Sequence, residues 1–470
     1  MSRATQGFAP LRHRGFRLLA GGQLASNVGD AFYMVALPWY VLAVHGGTLL
    51  LGTVLAAYGI PRTVLLAVGG QAADRWHPWI VMMASDTVRV LAAAGLAVAA
   101  AAGPARAVVL VPIAVLLGAG EGMFLPGSFA IIPQLLPDED LQAGNALASA
   151  GTQLATLIGP VLGGAMVALI GPAPAFGLDA ASFAISALSL VGVGAAKRAG
   201  RTARAGTAAA ADGPALDGQA APTPVSGDIT PGAGQSGGAP TVLGTIRAER
   251  ALQIALLVTV VANLGSGGID GVALPSLAHG PLHTGAGGFG GLIAAFGAGA
   301  LLGTLASAHF GRLRRPAIAG STAFMIEAAA MAVVPYLGGV FGAGAAILVT
   351  GVMNGFGNVV MITAFQRWCP PSLLGRLSGV LMLTSVGVYP VSVVVSAFLV
   401  RGLGPAPFFP IAAAALAFAI LLGISQRAWR NFGVTTDSPT TGSPTTGSPA
   451  TGSDALQPAS SNPDTERYAS

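Results

Sequence analysis

The sequence predicts an all-α membrane protein of twelve transmembrane helices, arranged as two pseudo-symmetric bundles of six. Three observations carry this. Charged residues fill 9% of the 470 positions and hydrophobic ones 53%, whereas a soluble domain carries about 25% charged residues. Apolar runs near the roughly 20 residues needed to cross a bilayer recur along the chain. An offset of 233 residues carries Gly70 to Gly303, Gly118 to Gly351, Gly122 to Gly355 and Leu141 to Leu374, the pattern of a duplicated unit.

Taken in order, the first six spans are expected at 17–44, 49–71, 79–102, 106–129, 142–170 and 172–195. The second six are expected at 251–277, 286–308, 317–337, 340–364, 376–400 and 406–428. The stretch Gly70-Gln71-Ala72-Ala73-Asp74-Arg75 joins spans 2 and 3 and reads as a sharp turn at the membrane surface. Gly103-Pro104 and Gly171-Pro172 make equally short connections, which favour antiparallel neighbours. Glycine elsewhere within the apolar runs reads as close helix packing.

Arginine placement tests the count. With the N-terminus inside, the cytoplasmic segments collect Arg12, Arg14, Arg17, Arg75, Lys197, Arg198, Arg247, Arg314, Arg315, Arg367, Arg427 and others, while the outer face receives only Arg106 and Arg401. That asymmetry is what the positive-inside rule demands. Twelve spans with both termini cytoplasmic satisfy it.

The expected organisation is an N-terminus over 1–16, a first bundle over 17–196, a linker over 197–250, a second bundle over 251–430 and a tail over 431–470. The linker and the Ser-Pro-Thr-Thr-Gly repeats of the tail lack apolar periodicity and read as disordered cytoplasmic segments. The N-terminus runs directly into a long span, so no removable signal peptide is expected. Twenty-two arginines against one lysine, with abundant alanine and glycine, point to a GC-rich bacterial source and hence to a plasma membrane location.

Four stretches carry a family resemblance. They are Phe16-Arg17-Leu18-Leu19 with Gln23 to Asp30, Leu136-Pro137-Asp138-Glu139-Asp140-Leu141 with Asn145-Ala146-Leu147, Phe176-Gly177-Leu178-Asp179-Ala180-Ala181-Ser182-Phe183, and Leu374 to Gly379. With the Gly-x-x-x-Asp-Arg pattern at Gly70, Asp74 and Arg75, the chain resembles the major facilitator superfamily over residues 15 to 430, and within it the proton-coupled drug and siderophore exporters. The resemblance implies the major facilitator fold and a cytoplasmic latch at the Gly70–Arg75 loop. The chain departs from the pattern after Arg75, reading Trp76-His77-Pro78-Trp79, with basic residues only at Arg312, Arg314 and Arg315 and Ser307 at the acidic position. Gly159-Pro160-Val161-Leu162-Gly163-Gly164 in span 5 resembles the exporter motif. There proline removes a helix hydrogen bond and glycine admits a close neighbour.

The candidate functional residues are ionisable groups inside spans, where a charge costs about 2.5–3.5 kcal/mol on insertion scales and so wants a cavity or a partner. Asp30, beside Asn27, is a proton or cationic-substrate site unless it is fixed purely for structure. Glu121 is the second such candidate, and Asp270 loosely mirrors Asp30 in span 7. Arg62 in span 2 needs an acid partner, which Asp30 or Glu121 can supply. Asp86 and Arg89, three apart on one helical face, are grouped with Gly70, Asp74, Arg75 and Arg376 as a cytoplasmic gate. Asp179 and Glu327 read as structural, Asp179 as an acid favouring the outer N-terminus of span 6.

No metal site, cofactor or enzyme activity is expected. His279 and His283 lack a third ligand in sequence, Cys369 reads as inert, and no Gly-Lys-Ser/Thr phosphate loop is present. Nucleic acid is not an expected partner; a small molecule, protons and lipid are. The function expected is a monomeric, alternating-access antiporter that couples protons to efflux of hydrophobic compounds. An importer or lipid flippase on the same fold, and a non-transporting scaffold or sensor, are the alternatives.

Overall fold

The computed structural model describes residues 8–43, 47–211, 242–309, 313–369 and 371–433, with side chains outside the description at 70–71, 73–74, 195–211, 242–243, 308, 371–376 and 378. Twelve long helices stand among the described residues: α1 Arg14–Ala43, α2 Gly47–Trp76, α3 Pro78–Ala101, α4 Ala107–Ile131, α5 Asp138–Ile170, α6 Pro172–Ala211, α7 Arg250–His279, α8 Gly285–His309, α9 Pro316–Val333, α10 Gly339–Trp368, α11 Pro371–Leu403 and α12 Pro405–Ser425. Eleven are apolar and long enough to cross a membrane by composition. The exception, α1, carries Gln23, Asn27 and Asp30 in its middle.

Several boundaries differ from expectation for identifiable reasons. Helix α2 continues through the Gly70–Arg75 stretch to Trp76. The chain turns instead at His77, whose φ is 67°, immediately before Pro78 opens α3. Helix α5 starts at Asp138, because Asp138, Glu139 and Asp140 form an acidic first turn that suits the positive helix end. Helix α6 runs on to Ala211, and a short helix, Val242–Ala248, precedes α7. The rest of the expected linker, 212–241, and the tail from 434 lie outside the described residues.

The duplication is physical, but its offset is not constant. Helices α2 and α3 begin at 47 and 78, and α8 and α9 at 285 and 316, so each pair is separated by 238 (285 − 47 and 316 − 78). The α5/α11 and α6/α12 pairs are separated by 233 (371 − 138 and 405 − 172). Gly171 and Gly404, also 233 apart, both take a positive φ (88° and 85°) before a helix-opening proline. The pairing of Gly70 with Gly303 is therefore corrected: Gly303 matches Leu65, and Asp74 matches position 312 rather than Ser307. The third helix is shorter in the second half, 18 residues in α9 against 24 in α3, which shifts the register.

Glycine lets equivalent helices close in both halves. A Cβ at Gly118 would lie 2.7 Å from the Tyr58 carbonyl carbon, and one at Gly122 3.1 Å from that of Arg62, clamping α4 to α2. Gly351 and Gly355 make the same approach, 3.0 Å and 2.8 Å, to Phe296 and Ala300, clamping α10 to α8. Small residues at such crossings give the van der Waals contact that drives helix association in lipid.

The halves meet through α2 against α11 and α5 against α8. A Cβ at Gly59 would lie 3.0 Å from Pro390, and one at Gly164 3.1 Å from the Gly290 backbone. Thr48 Oγ1 donates to the Ala397 carbonyl at 3.4 Å, and Trp39 packs edge-on to His279 at 5.0 Å. These contacts all fall in the half of the molecule holding the 102–107, 171–172 and 403–405 connections. Toward the other end, where the chain enters at Arg14 and α12 finishes, two cavities open. One, about 510 Å³, lies against α1, α4 and α5; the other, about 370 Å³, against α7, α10 and α11. Among the described residues these contacts between the halves lie toward one end and the two cavities toward the other.

Candidate functional site

Two ion pairs occupy the middle of the first bundle. Arg89 of α3 donates through Nη2 to both carboxylate oxygens of Asp30 on α1, at 2.8 Å and 2.9 Å. Arg62 Nη2 of α2 lies 3.1 Å from Glu121 Oε1 of α4. Of the two partners that sequence allows Arg62, Glu121 is the one it meets.

Arg89 is the hub. Its guanidinium carbon stands 3.8 Å above the Phe183 ring and 5.4 Å from that of Phe124, so it is sandwiched by cation–π contact while its polar edge faces acids. Asp86, one turn back on α3, approaches its Nη1 at 3.5 Å. The pair expected near the end of α3 thus belongs to the intramembrane cluster. Eleven residues of helix at 1.5 Å each carry Arg89 roughly 16 Å from the end at Pro78. Arg75 is exposed beyond that end. The side chains of Gly70, Asp74 and Arg376, the other members of the expected gate, lie outside the described residues.

Asp179, read from sequence as a structural acid at the outer end of span 6, lies against this cluster. It is 1% exposed, and its Oδ1 has no hydrogen-bond partner. It lies seven residues into α6, past the first turn where the helix end would favour it, and turns instead toward α1. A Cβ at Gly29 would stand 2.8 Å from that orphan oxygen. With Asp30, Tyr33, Tyr58, Arg89 and Glu121 it encloses a void of about 10 Å³, the lower limit for one water. The local signal was present: Asp179, Ser182, Phe183 and Ser186 recur at helical spacing, marking one polar face of an otherwise apolar helix.

From this void the cluster passes into the 510 Å³ cavity, where Asp30 and Glu121 form the wall with Gln23, Asn27, Asn145 and Thr152. Asn27 donates to Thr152 Oγ1 at 3.2 Å, tying α1 to α5. The exporter-like motif lies on the same helix nearer the end where the halves meet. There Gly163 would meet Phe32 of α1, and Gly164 meets Gly290 of α8. Proline and glycine therefore sit where α5 touches both its own bundle and the other one.

Asp270 is not brought into the cluster. It sits on a π-helical turn, Ile269–Ala273, inside α7, exposed and in the second half. Such turns in α-helices mark functional sites often enough to note. Among the described residues no group of three metal-ligating side chains occurs. Cys369, just beyond α10, is buried, which pushes its thiol up and away from the reactive thiolate.

Residues 5–210 match the family described as transmembrane secretion effector. Over 193 residues the chain is 32% identical to the multidrug efflux pump Tap of Mycolicibacterium fortuitum, an alignment covering 38% of this chain and 47% of the relative. It is 25% identical over 181 residues to the uncharacterized MFS-type transporter YfiS of Bacillus subtilis, covering 38% and 42%. The chain spans about half the length of the curated relatives it matches. A bacterial homologue of the iron transporter ferroportin, solved in an inward-facing state, superposes with a TM-score of 0.63 at 16% identity over 90% of this chain and 99% of that one. A POT family transporter in complex with a thioalcohol-conjugated peptide gives 0.64 at 12% identity over 88% and 96%. At those identities the likeness shows the fold alone. The chain takes the major facilitator fold, and its residues 5–210 match the transmembrane secretion effectors.

Proposed function

We propose that this transporter exports hydrophobic small molecules in exchange for protons. The carrying observation is the Asp30–Arg89 pair, in which the carboxylate is 38% exposed toward the open cavity while the guanidinium is 3% exposed. One partner of a strong ion pair is thus within reach of water and ligand, and the other is locked among aromatic rings.

Charge counting supports coupling. Four carboxyls (Asp30, Asp86, Glu121, Asp179) face two arginines (Arg62, Arg89), an excess of two acids in the membrane interior. Ionised carboxylates without partners are costly there, so the cluster takes up protons or attracts a cation. A proton arriving on Asp30 weakens its hold on Arg89, which then turns its charge toward Asp86 and Asp179. A cationic substrate at Asp30 competes for the same position. The contacts of α2 with α11 and α5 with α8 are the surfaces about which the halves rock as the cavity changes sides.

The arginine distribution supports cytoplasmic termini; in that orientation the open end faces the cytoplasm, and the cavity loads from inside the cell. A single chain in the plasma membrane suffices, since it lines both cavities by itself. Efflux homologues at 32% identity over part of the chain support this direction. The test is transport in inside-out vesicles under an imposed proton gradient. Accumulation of a lipophilic compound inside those vesicles supports export, and accumulation only in right-side-out vesicles contradicts it.

A further inference from the structure

The second bundle carries its own buried carboxylate, placed differently. Glu327 of α9 is 7% exposed, and its Oε2 has no hydrogen-bond partner. Asn354 of α10 donates through Nδ2 to Glu327 Oε1 at 3.0 Å. One turn on, Asn358 donates through Nδ2 to Asn354 Oδ1 at 3.0 Å and to the Asn354 carbonyl at 3.0 Å. Asn358 is exposed and lines the 370 Å³ cavity. An unbroken chain of hydrogen bonds runs from a buried acid to the wall of a cavity the size of a small-molecule site.

Every donor in the chain points inward, toward the carboxylate. Aligned amides reinforce one another in a low-dielectric interior, so the negative charge of Glu327 is relayed outward to the amide oxygen of Asn358, an acceptor. Among the described residues no charged side chain lines this cavity; Phe324, Phe365, Trp429 and Phe432 give it aromatic faces. The Trp429 indole N–H is spent on Ser321 Oγ at 3.0 Å and offers no competing donor. Acceptor plus aromatic wall is the chemistry that recognises an ammonium on an apolar body.

The pseudo-symmetry sharpens the contrast. Glu327 stands eleven residues after Pro316, as Arg89 stands eleven after Pro78, and Asn354 is 233 residues after Glu121. Where the first half sets an arginine beside acids, the second sets an acid beside amides.

We propose that the α7–α10–α11 cavity is a second ligand site, selective for the amine end of a lipophilic compound, with Glu327 as a positioning residue acting through Asn354 and Asn358. The proposal rests on the reading that the open cavity takes small molecules, but not on proton coupling. The test is binding to the full chain in nanodiscs without a gradient, using monodansylcadaverine and its N-acetyl derivative, which lacks the ammonium. Wild type is expected to prefer the amine by about tenfold, the scale of one hydrogen bond to a charged group. Glu327→Gln keeps an acceptor for Asn354 and should abolish the preference without weakening the acetyl compound. Asn358→Leu should do the same, and Asn358→Asp placed on Glu327→Gln should restore it. A preference surviving in both single variants overturns the proposal. So does a preference lost in Asp30→Asn but kept in Asn358→Leu, which puts the amine in the first half. Failure of both probes to bind wild type overturns the cavity reading itself, whereas binding as expected without proton flux would leave this site standing and remove only the coupling.

Discussion

Asp30 and Arg89 hold each other at 2.8 Å from opposite sides of a boundary, the acid at the wall of an open cavity and the arginine beneath two phenylalanine rings. Replacing Asp30 by Asn removes the charge but keeps the shape. Substrate-driven proton movement should fall at least about tenfold, while the purified protein keeps its thermal stability within about 1 kcal/mol, because the asparagine oxygen still accepts from Arg89. Vesicle pH measurements and a melting curve check the two halves of that statement.

Arg89 should behave in the opposite way. Asp86 is fully buried with neither oxygen hydrogen-bonded, and Asp179 is nearly so, and Arg89 is the cation between them. Removing one member of a buried pair costs about 3–5 kcal/mol. Arg89→Met should therefore lower stability on that scale and Arg89→Lys less, measured by thermal unfolding in detergent.

Arg62 and Glu121 form a separable pair. Either Arg62→Met or Glu121→Gln leaves the other partner alone in the bundle, and the double variant leaves neither. The double variant should be more stable than Arg62→Met alone, with a coupling of about 0.5–3 kcal/mol in a double-mutant cycle. Additive effects would show that the 3.1 Å contact contributes nothing.

The fold was legible because membrane spans announce themselves. Apolar runs, Gly-Pro connections such as 171–172, and arginines gathered on one side left little freedom. The cluster was less legible because ion pairs across helices depend on rotation, which periodicity leaves open when a helix is apolar all round. Asp86 and Arg89 were grouped with Asp74 and Arg75 by nearness in sequence, yet the helix carries them inward to Asp30. Asp179 was misread for a related reason: counting from Pro172 put it near a helix end, while its facing put it on α1. The repeat was found, but a single offset hid the five-residue shift (238 − 233) between the third and fourth helices of the two halves.

The closed end depends on glycine. A side chain at Gly290 has no room against Pro160 and Gly164, so Gly290→Leu should wedge α8 from α5. Spin labels at Arg106→Cys and Arg401→Cys, in a Cys369→Ser background, should report a longer and broader distance at that end than the same labels beside Gly290. An unchanged distance would show that the α5–α8 contact does not seal the molecule.

The most direct measurement is proton release or uptake by proteoliposomes when a transported lipophilic compound is added, compared between wild type and Asp30→Asn combined with Glu121→Gln. A compound-dependent pH change in wild type that disappears in the double variant, with compound binding retained, is the predicted result. The same pH change in both proteins would contradict it.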